Sequence, residues 1–248
     1  MLFYLILINN QINNIYILFA IIIISMEKKV FHSKKGKKDF KSKRLNKEEK
    51  TLFPYTFLGI SLESTPQISD AVYKSIVDLS EAFSSFSSSD ILSFLKPKDA
   101  ESNQNSIWKT PRTFHLTTLF HSKHFDRESP ILKAFQPDRE AKIRIVGVAV
   151  VPTNIVTLIV LTDELVDNKF SHITFLIGNY KPVMSNNVMV ALFDKGAPYE
   201  GVYAKIKKGE KCPMKEKVSV MILDKNEEVF FEIFENEIEV VGKHKGFK

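Results

Sequence analysis

Two short runs in this chain pair a histidine with a threonine at a spacing that could do chemistry. They are Phe114-His115-Leu116-Thr117-Thr118-Leu119-Phe120 and Ser171-His172-Ile173-Thr174-Phe175-Leu176-Ile177. Each reads His, aliphatic, Thr, then apolar residues, in a stretch of high strand propensity. In a strand, residues two apart point to the same face. His115 and Thr117 therefore project together, as do His172 and Thr174. Phe114, Leu116 and Phe120, and likewise Ile173 and Phe175, are left for the other side. Imidazole is the side chain whose unperturbed pKa lies closest to neutrality. One neutral imidazole can take a proton from a nucleophile while a second, protonated one gives a proton to the leaving oxygen. Two hydroxyls can donate hydrogen bonds to phosphate oxygens as charge builds on them. That set suits a phosphodiester with a good internal leaving group, such as a 2′,3′-cyclic phosphate, and it calls for no metal and no cofactor. The plain alternative is a pair of histidines held by ordinary structural hydrogen bonds.

The elements around the motifs must bring these two strands together. Folded sequence begins near Tyr55. Phe57–Leu62 reads as a strand. Ile68, Val72, Ile76, Leu79 and Phe83 repeat at helical spacing, so 68–83 is expected to be a helix with one apolar face. The Ser84–Ser89 run is a loop, Asp90–Leu95 a short helix or turn, and Ser129–Phe135 a short helix. Ile143–Val151 and Ile155–Leu161 are β-branched runs flanking Pro152-Thr153-Asn154, a hairpin signal. Asn186–Phe193 reads as a helix. Gly201–Lys207, Lys217–Leu223 and Val229–Phe234 read as closing strands. The order of strands, helix, strands, helix, strands predicts an α+β domain with helices packed on a largely antiparallel sheet.

The paired His-x-Thr motifs resemble the signature of the two-histidine (2H, LigT-like) phosphoesterase superfamily. The opening strand FLGISL followed by a helix fits that resemblance. So does Lys181-Pro182-Val183-Met184-Ser185-Asn186-Asn187, which is similar to the stretch after the second histidine in the cyclic phosphodiesterase domain of fungal and plant tRNA ligases. The resemblance spans about residues 55–240. It implies a two-lobed, pseudo-symmetric pair of antiparallel sheets with helices outside and the site in the cleft between lobes. It implies His115 and His172 as the acid/base pair and Thr117 and Thr174 as phosphate binders. The implied activity is opening of 2′,3′-cyclic phosphate ends of RNA, in tRNA splicing or RNA repair. The chain carries no nucleotidyl-transferase lysine motif and no G-x-x-x-x-G-K-[ST] loop, so ligase and kinase components would be separate partners. A non-catalytic RNA- or nucleotide-binding module of the same fold is the alternative.

Other residues are candidates for the site. Trp108, Arg112 and Lys181 are candidate substrate contacts: Trp108 by stacking on a base, with a core or rim aromatic as the plainer reading, and Arg112 and Lys181 by neutralising phosphate, with ordinary surface charges as the alternative. Phe170, Tyr180 and Tyr199 could also stack bases, or simply fill core and rim. Ser185 and Asn186 are expected to cap the helix that follows them. His121 and His124 near His115 invite a metal reading, but no carboxylate spacing supports one. The single cysteine, Cys212, can form no disulfide within the chain.

Composition supports a folded body with polar and apolar appendages. Twenty Phe and 44% apolar residues can build a sizeable core. The net charge of +6 is uneven: residues 26–50 hold eleven of the 35 basic and four of the 29 acidic residues, while 1–25 hold none of either. The rest of the chain is close to neutral, so the basic pI cannot itself argue for nucleic-acid binding. Residues 1–25 are a hydrophobic segment broken by five amide side chains. They read as either an upstream extension before a start at Met26 or a weak membrane anchor. Residues 26–50 are expected to be a basic disordered arm, serving as a phosphate-binding arm, an import signal or a solubilising tail. Residues 51–248 form the phosphoesterase-like domain in this division. A cytoplasmic or nuclear location is expected.

Overall fold

The computed structural model describes residues 55–63, 65–96, 106–120 and 128–248. The expectations for segments 1–25 and 26–50, and for His121 and His124, lie outside the described residues. Among the described residues seven strands form one antiparallel sheet: β1 (Phe57–Leu62), β2 (Phe114–Phe120), β3 (Glu140–Val151), β4 (Ile155–Thr162), β5 (His172–Ile177), β6 (Met214–Ile222) and β7 (Lys225–Phe247). Their order is β1-β2-β5-β4-β3-β7-β6, and β1 also pairs with the far end of β7. Six strands thus close on one another, with β6 running beside the first part of β7. The α+β class expected from the element order is what the chain adopts.

Among the described residues five helices accompany the sheet. Helix α1 (Pro66–Ala82) starts where Thr65 accepts a hydrogen bond from the Ile68 amide, with a proline in its first turn, a conventional start. Its buried residues Ile68, Val72, Ile76 and Leu79 are the expected apolar stripe. Each such side chain, fully removed from water, contributes about 1.5–3 kcal/mol. With α2 (Ser89–Leu95), α1 covers a first core that includes Ile143, Ile145, Val148, Val150, Val156, Leu158, Val160, Ile173 and Phe175. Helix α3 (Pro130–Ala134) is a single short turn with no buried residue. Helices α4 (Met184–Phe193) and α5 (Val202–Lys207) cover a second core, which takes Val146, Ala149, Val151, Ile155, Ile159 and Leu161 from the same two strands.

The hairpin β3–β4 therefore has apolar cover on both faces, and all eight residues of β4 are buried. Within β3 the register shifts between Ile145 and Gly147. This bulge moves the face seen by the first core from odd positions (Ile143, Ile145) to even ones (Val148, Val150).

Two expectations need correction. Gly201–Lys207 is not a strand. After Gly201, in the left-handed region at φ 86°, the chain forms α5 and buries Tyr203 and Ile206. The buried pair is three apart, which is helical spacing; the apparent alternation of Val202, Ala204 and Ile206 misled. The strand expected at Val229–Phe234 runs from Lys225 to Phe247. Its second half is highly charged in sequence but is held by backbone pairing to β3 and β1. Among the described residues no helix is long and apolar enough to cross a membrane.

Candidate active site

The two motif strands meet at one residue pair, Leu116 with Ile173, antiparallel. Elsewhere in the closed sheet the joints are longer: β1–β2 pairs six residues on each strand and β4–β5 five. The β2–β5 joint is the shortest, and a pocket of about 580 Å³ opens there. His115, Thr117, His172 and Thr174 all line it. Leu116 and Ile173, between them, are buried in the first core. Strand alternation thus does what the motif pattern requires.

Both histidines are held in the same way. The His115 ring Nδ1 lies 3.0 Å from the Thr113 carbonyl oxygen, and the His172 Nδ1 lies 2.9 Å from that of Phe170. A carbonyl can only accept, so each Nδ1 carries the proton and donates it to the carbonyl two residues earlier. Nε2 is thereby left as the nitrogen that exchanges protons in both rings. Burial pushes both pKa values below the ordinary 6.5, opposed in each case by the carbonyl bond. For His172, the more buried ring, the charge of a protonated His115 lowers it further. The two imidazoles are close enough that charging one disfavours charging the other.

The rings differ in what packs on them. His115 lies against Phe57 and Phe247, with centroids 4.8 and 4.9 Å away, and those two rings stack on each other at 4.5 Å. The aromatic faces offer a cation a favourable field. On β5, the Thr174 hydroxyl is 3.2 Å from the Pro182 carbonyl oxygen and 2.8 Å from Ser185 Oγ.

The remaining lining is Phe57, Pro111, Arg112, Thr113, Phe120, Asn168, Ile177, Pro182, Val183 and Asn186. Among the described residues that line the pocket there is no carboxylate. Arg112 is exposed at the rim, where the sequence placed a substrate contact. Among the described residues no cluster of three or more His, Cys, Asp and Glu side chains is arranged to hold a metal ion.

Several candidates lie elsewhere. Trp108 is 2% exposed and belongs to the first core, away from the pocket lining. Its neighbour Lys109 bridges to Ile177 on β5. Lys181 is exposed and outside the lining. Phe170 is buried in the second core. The Tyr180 hydroxyl donates to Glu227, and Tyr199 packs on Phe231 and donates to Glu216. Phe120, expected on the core face, is 57% exposed at the pocket mouth, because it is the last residue of β2. Ser185 and Asn186 are not caps. Helix α4 begins at Met184 without a side-chain cap; Ser185 is fully buried and bonded to Thr174, and Asn186 faces the pocket. The signal for both was in the sequence: polar residues at the first turn of an otherwise apolar helix.

No family model matches the chain, and no curated protein matches it in sequence. Among solved structures the chain is similar to one described as the crystal structure of a fungal RNA kinase, with a TM-score of 0.43 and 14% identity. The match covers 78% of this chain and 46% of that one, so this chain spans about half its length.

Proposed function

We propose that this chain is a metal-independent 2′,3′-cyclic phosphodiesterase acting on RNA ends, in tRNA splicing or RNA repair. The observation that carries the reading is the convergence of both His-x-Thr motifs on one pocket, with Nδ1 of each histidine committed to a backbone carbonyl. In this reading, water enters between the rings and the cyclic phosphate. One neutral Nε2 takes the water proton as the new P–O bond forms. The other ring, protonated at Nε2, gives its proton to the departing ribose oxygen. Thr117 and Thr174 donate to the non-bridging oxygens as their charge grows. Arg112 attracts the chain's phosphates from the rim.

Burial and aromatic packing divide the roles. His172 is the more buried ring and is disfavoured as a cation by His115, so it serves as the base. His115, packed on Phe57 and Phe247, serves as the acid. The Leu116–Ile173 pair would be the point about which two related lobes meet, as the resemblance to 2H phosphoesterases implies.

The test is to incubate the full chain, with EDTA, with an oligoribonucleotide ending in a 2′,3′-cyclic phosphate and identify the terminal phosphate. Conversion to a single monophosphate isomer is expected. Folded protein that binds the oligonucleotide without converting it would replace the esterase with a binding module.

A further inference from the structure

Thr157 stands out in β4, whose other residues are Ile155, Val156, Leu158, Ile159, Val160, Leu161 and Thr162. It is 0% exposed, in a position where valine would fill the same space with no polar atom to satisfy. Its hydroxyl donates to Ser185 Oγ at 2.9 Å. Ser185 is also 0% exposed and lies in the first turn of α4. Its other hydroxyl partner is Thr174 Oγ1, at 2.8 Å. Thr174 pairs with Thr157 across the β4–β5 ladder and lines the pocket, which Ser185 does not reach.

A hydroxyl has one proton to give. Thr157 gives its proton to Ser185. Ser185, already accepting, can direct its own at Thr174. Thr174 then accepts from Ser185 and must send its proton outward. That proton goes to the Pro182 carbonyl, at a long 3.2 Å. A phosphate oxygen is the stronger acceptor.

We infer that Thr157 and Ser185 are positioning residues, a proton-ordered hydroxyl chain that keeps Thr174 a donor toward a phosphate oxygen. The inference rests on the phosphodiesterase reading and adds a direction to it. Successive hydrogen bonds polarise one another, so the last donor in the chain is strengthened. Thr117 has no such support: its hydroxyl makes no hydrogen bond among the described residues. The two motifs are therefore unequal, and the β5 side holds the preorganised half of the oxyanion contacts.

The test uses the full chain with Ser185→Ala and Thr157→Val. The second variant preserves shape and carries the test should the first not fold. On a cyclic-phosphate oligoribonucleotide, Ser185→Ala is expected to lower kcat by about tenfold with KM changed less than about twofold, and Thr157→Val to lower it by about two- to threefold. A merely structural role would not move a second readout. Wild-type protein should discriminate between the two diastereomers of a 2′,3′-cyclic phosphorothioate, since sulfur accepts hydrogen bonds poorly. Ser185→Ala should narrow that ratio. Unchanged kcat and ratio in both variants, beside an active wild type, would overturn the chain and leave the phosphodiesterase standing. An inactive wild type would overturn the phosphodiesterase. Binding of adenosine 2′-monophosphate then decides for the chain: weaker binding by Ser185→Ala sustains it, and equal or absent binding overturns it.

Discussion

Leu116 and Ile173 form the residue pair that joins β2 to β5, and counting outward from it sets His115 across from Thr174 and Thr117 across from His172. Each histidine thus stands opposite the threonine of the other motif. One apolar pair at the centre, buried in the core, holds four polar side chains at the mouth of the same pocket. Because the joint is so short, the strands part on either side of it and leave room for a ligand.

His115→Ala and His172→Ala should each lower turnover of a cyclic-phosphate end by about 100-fold or more, the usual contribution of a positioned acid or base. Both variants should remain folded by circular dichroism. Wild-type turnover in either one would rule out the two-histidine mechanism.

The pH profile of kcat/KM reports the free protein, in which both rings are held below 6.5 by burial. The profile should be a bell, rising as the base loses its proton and falling as the acid does. Its maximum should lie on the acid side of 6.5, with the two limbs belonging to the coupled pair. A rate that climbs steadily from pH 5 to pH 8 would contradict this.

Stability should follow the same groups. His115, His172 and His244 all have folded pKa values below the ordinary 6.5. Between the folded values and 6.5 the unfolded chain binds more protons, so stability increases with pH across that window. As pH falls from 6.5 through the lowered values, Tm should drop. The double variant His115→Gln/His172→Gln should lose less Tm than wild type over that range. Parallel curves for the two proteins would show that the site histidines do not contribute.

Arg112 lines the pocket, whereas Lys181 does not. Arg112→Ala should raise KM by about two- to fivefold, the scale of an exposed charge contact, and flatten its salt dependence. Lys181→Ala should leave both unchanged. Steady-state kinetics at two salt concentrations would separate the two residues, and the reverse ranking would misplace the RNA path.

Gly147 sits at the β3 bulge, where an added Cβ would lie 2.3 Å from the Glu232 carbonyl oxygen. Backbone cannot swing away as a side chain can. Gly147→Ala should therefore destabilise the domain by about 1–3 kcal/mol, read by urea unfolding. Stability equal to wild type would mean the bulge is free to relax.

Much of this was legible in one dimension because the local rules were obeyed. The period-two placement of His and Thr, the stripe on α1 and the β3–β4 hairpin each express a local preference that packing then reinforced. Where packing worked against the local signal, the sequence misled. The charged second half of β7 is a strand because two neighbours supply backbone partners. Tyr203 bonds the Ser171 amide and the Val160 carbonyl from a helix that alternation had suggested was a strand. Trp108 could as well have been a rim aromatic as a core one until its neighbours were known.

The sequence by itself determined which faces the His and Thr side chains of the two motifs occupy, because side-chain direction along a strand follows from geometry that each residue carries with it. It also determined that the motif faces are polar and their reverse faces apolar. Only the tertiary structure decided that the two motifs share a pocket, that Phe57 and Phe247 pack on His115, and that Ser185 and Thr157 stand behind Thr174. Those relations join residues from β1, β2, β4, β5, β7 and α4. They depend on which strand edges meet when the sheet closes, a choice made by summed burial and backbone pairing across the domain rather than by any short run of residues.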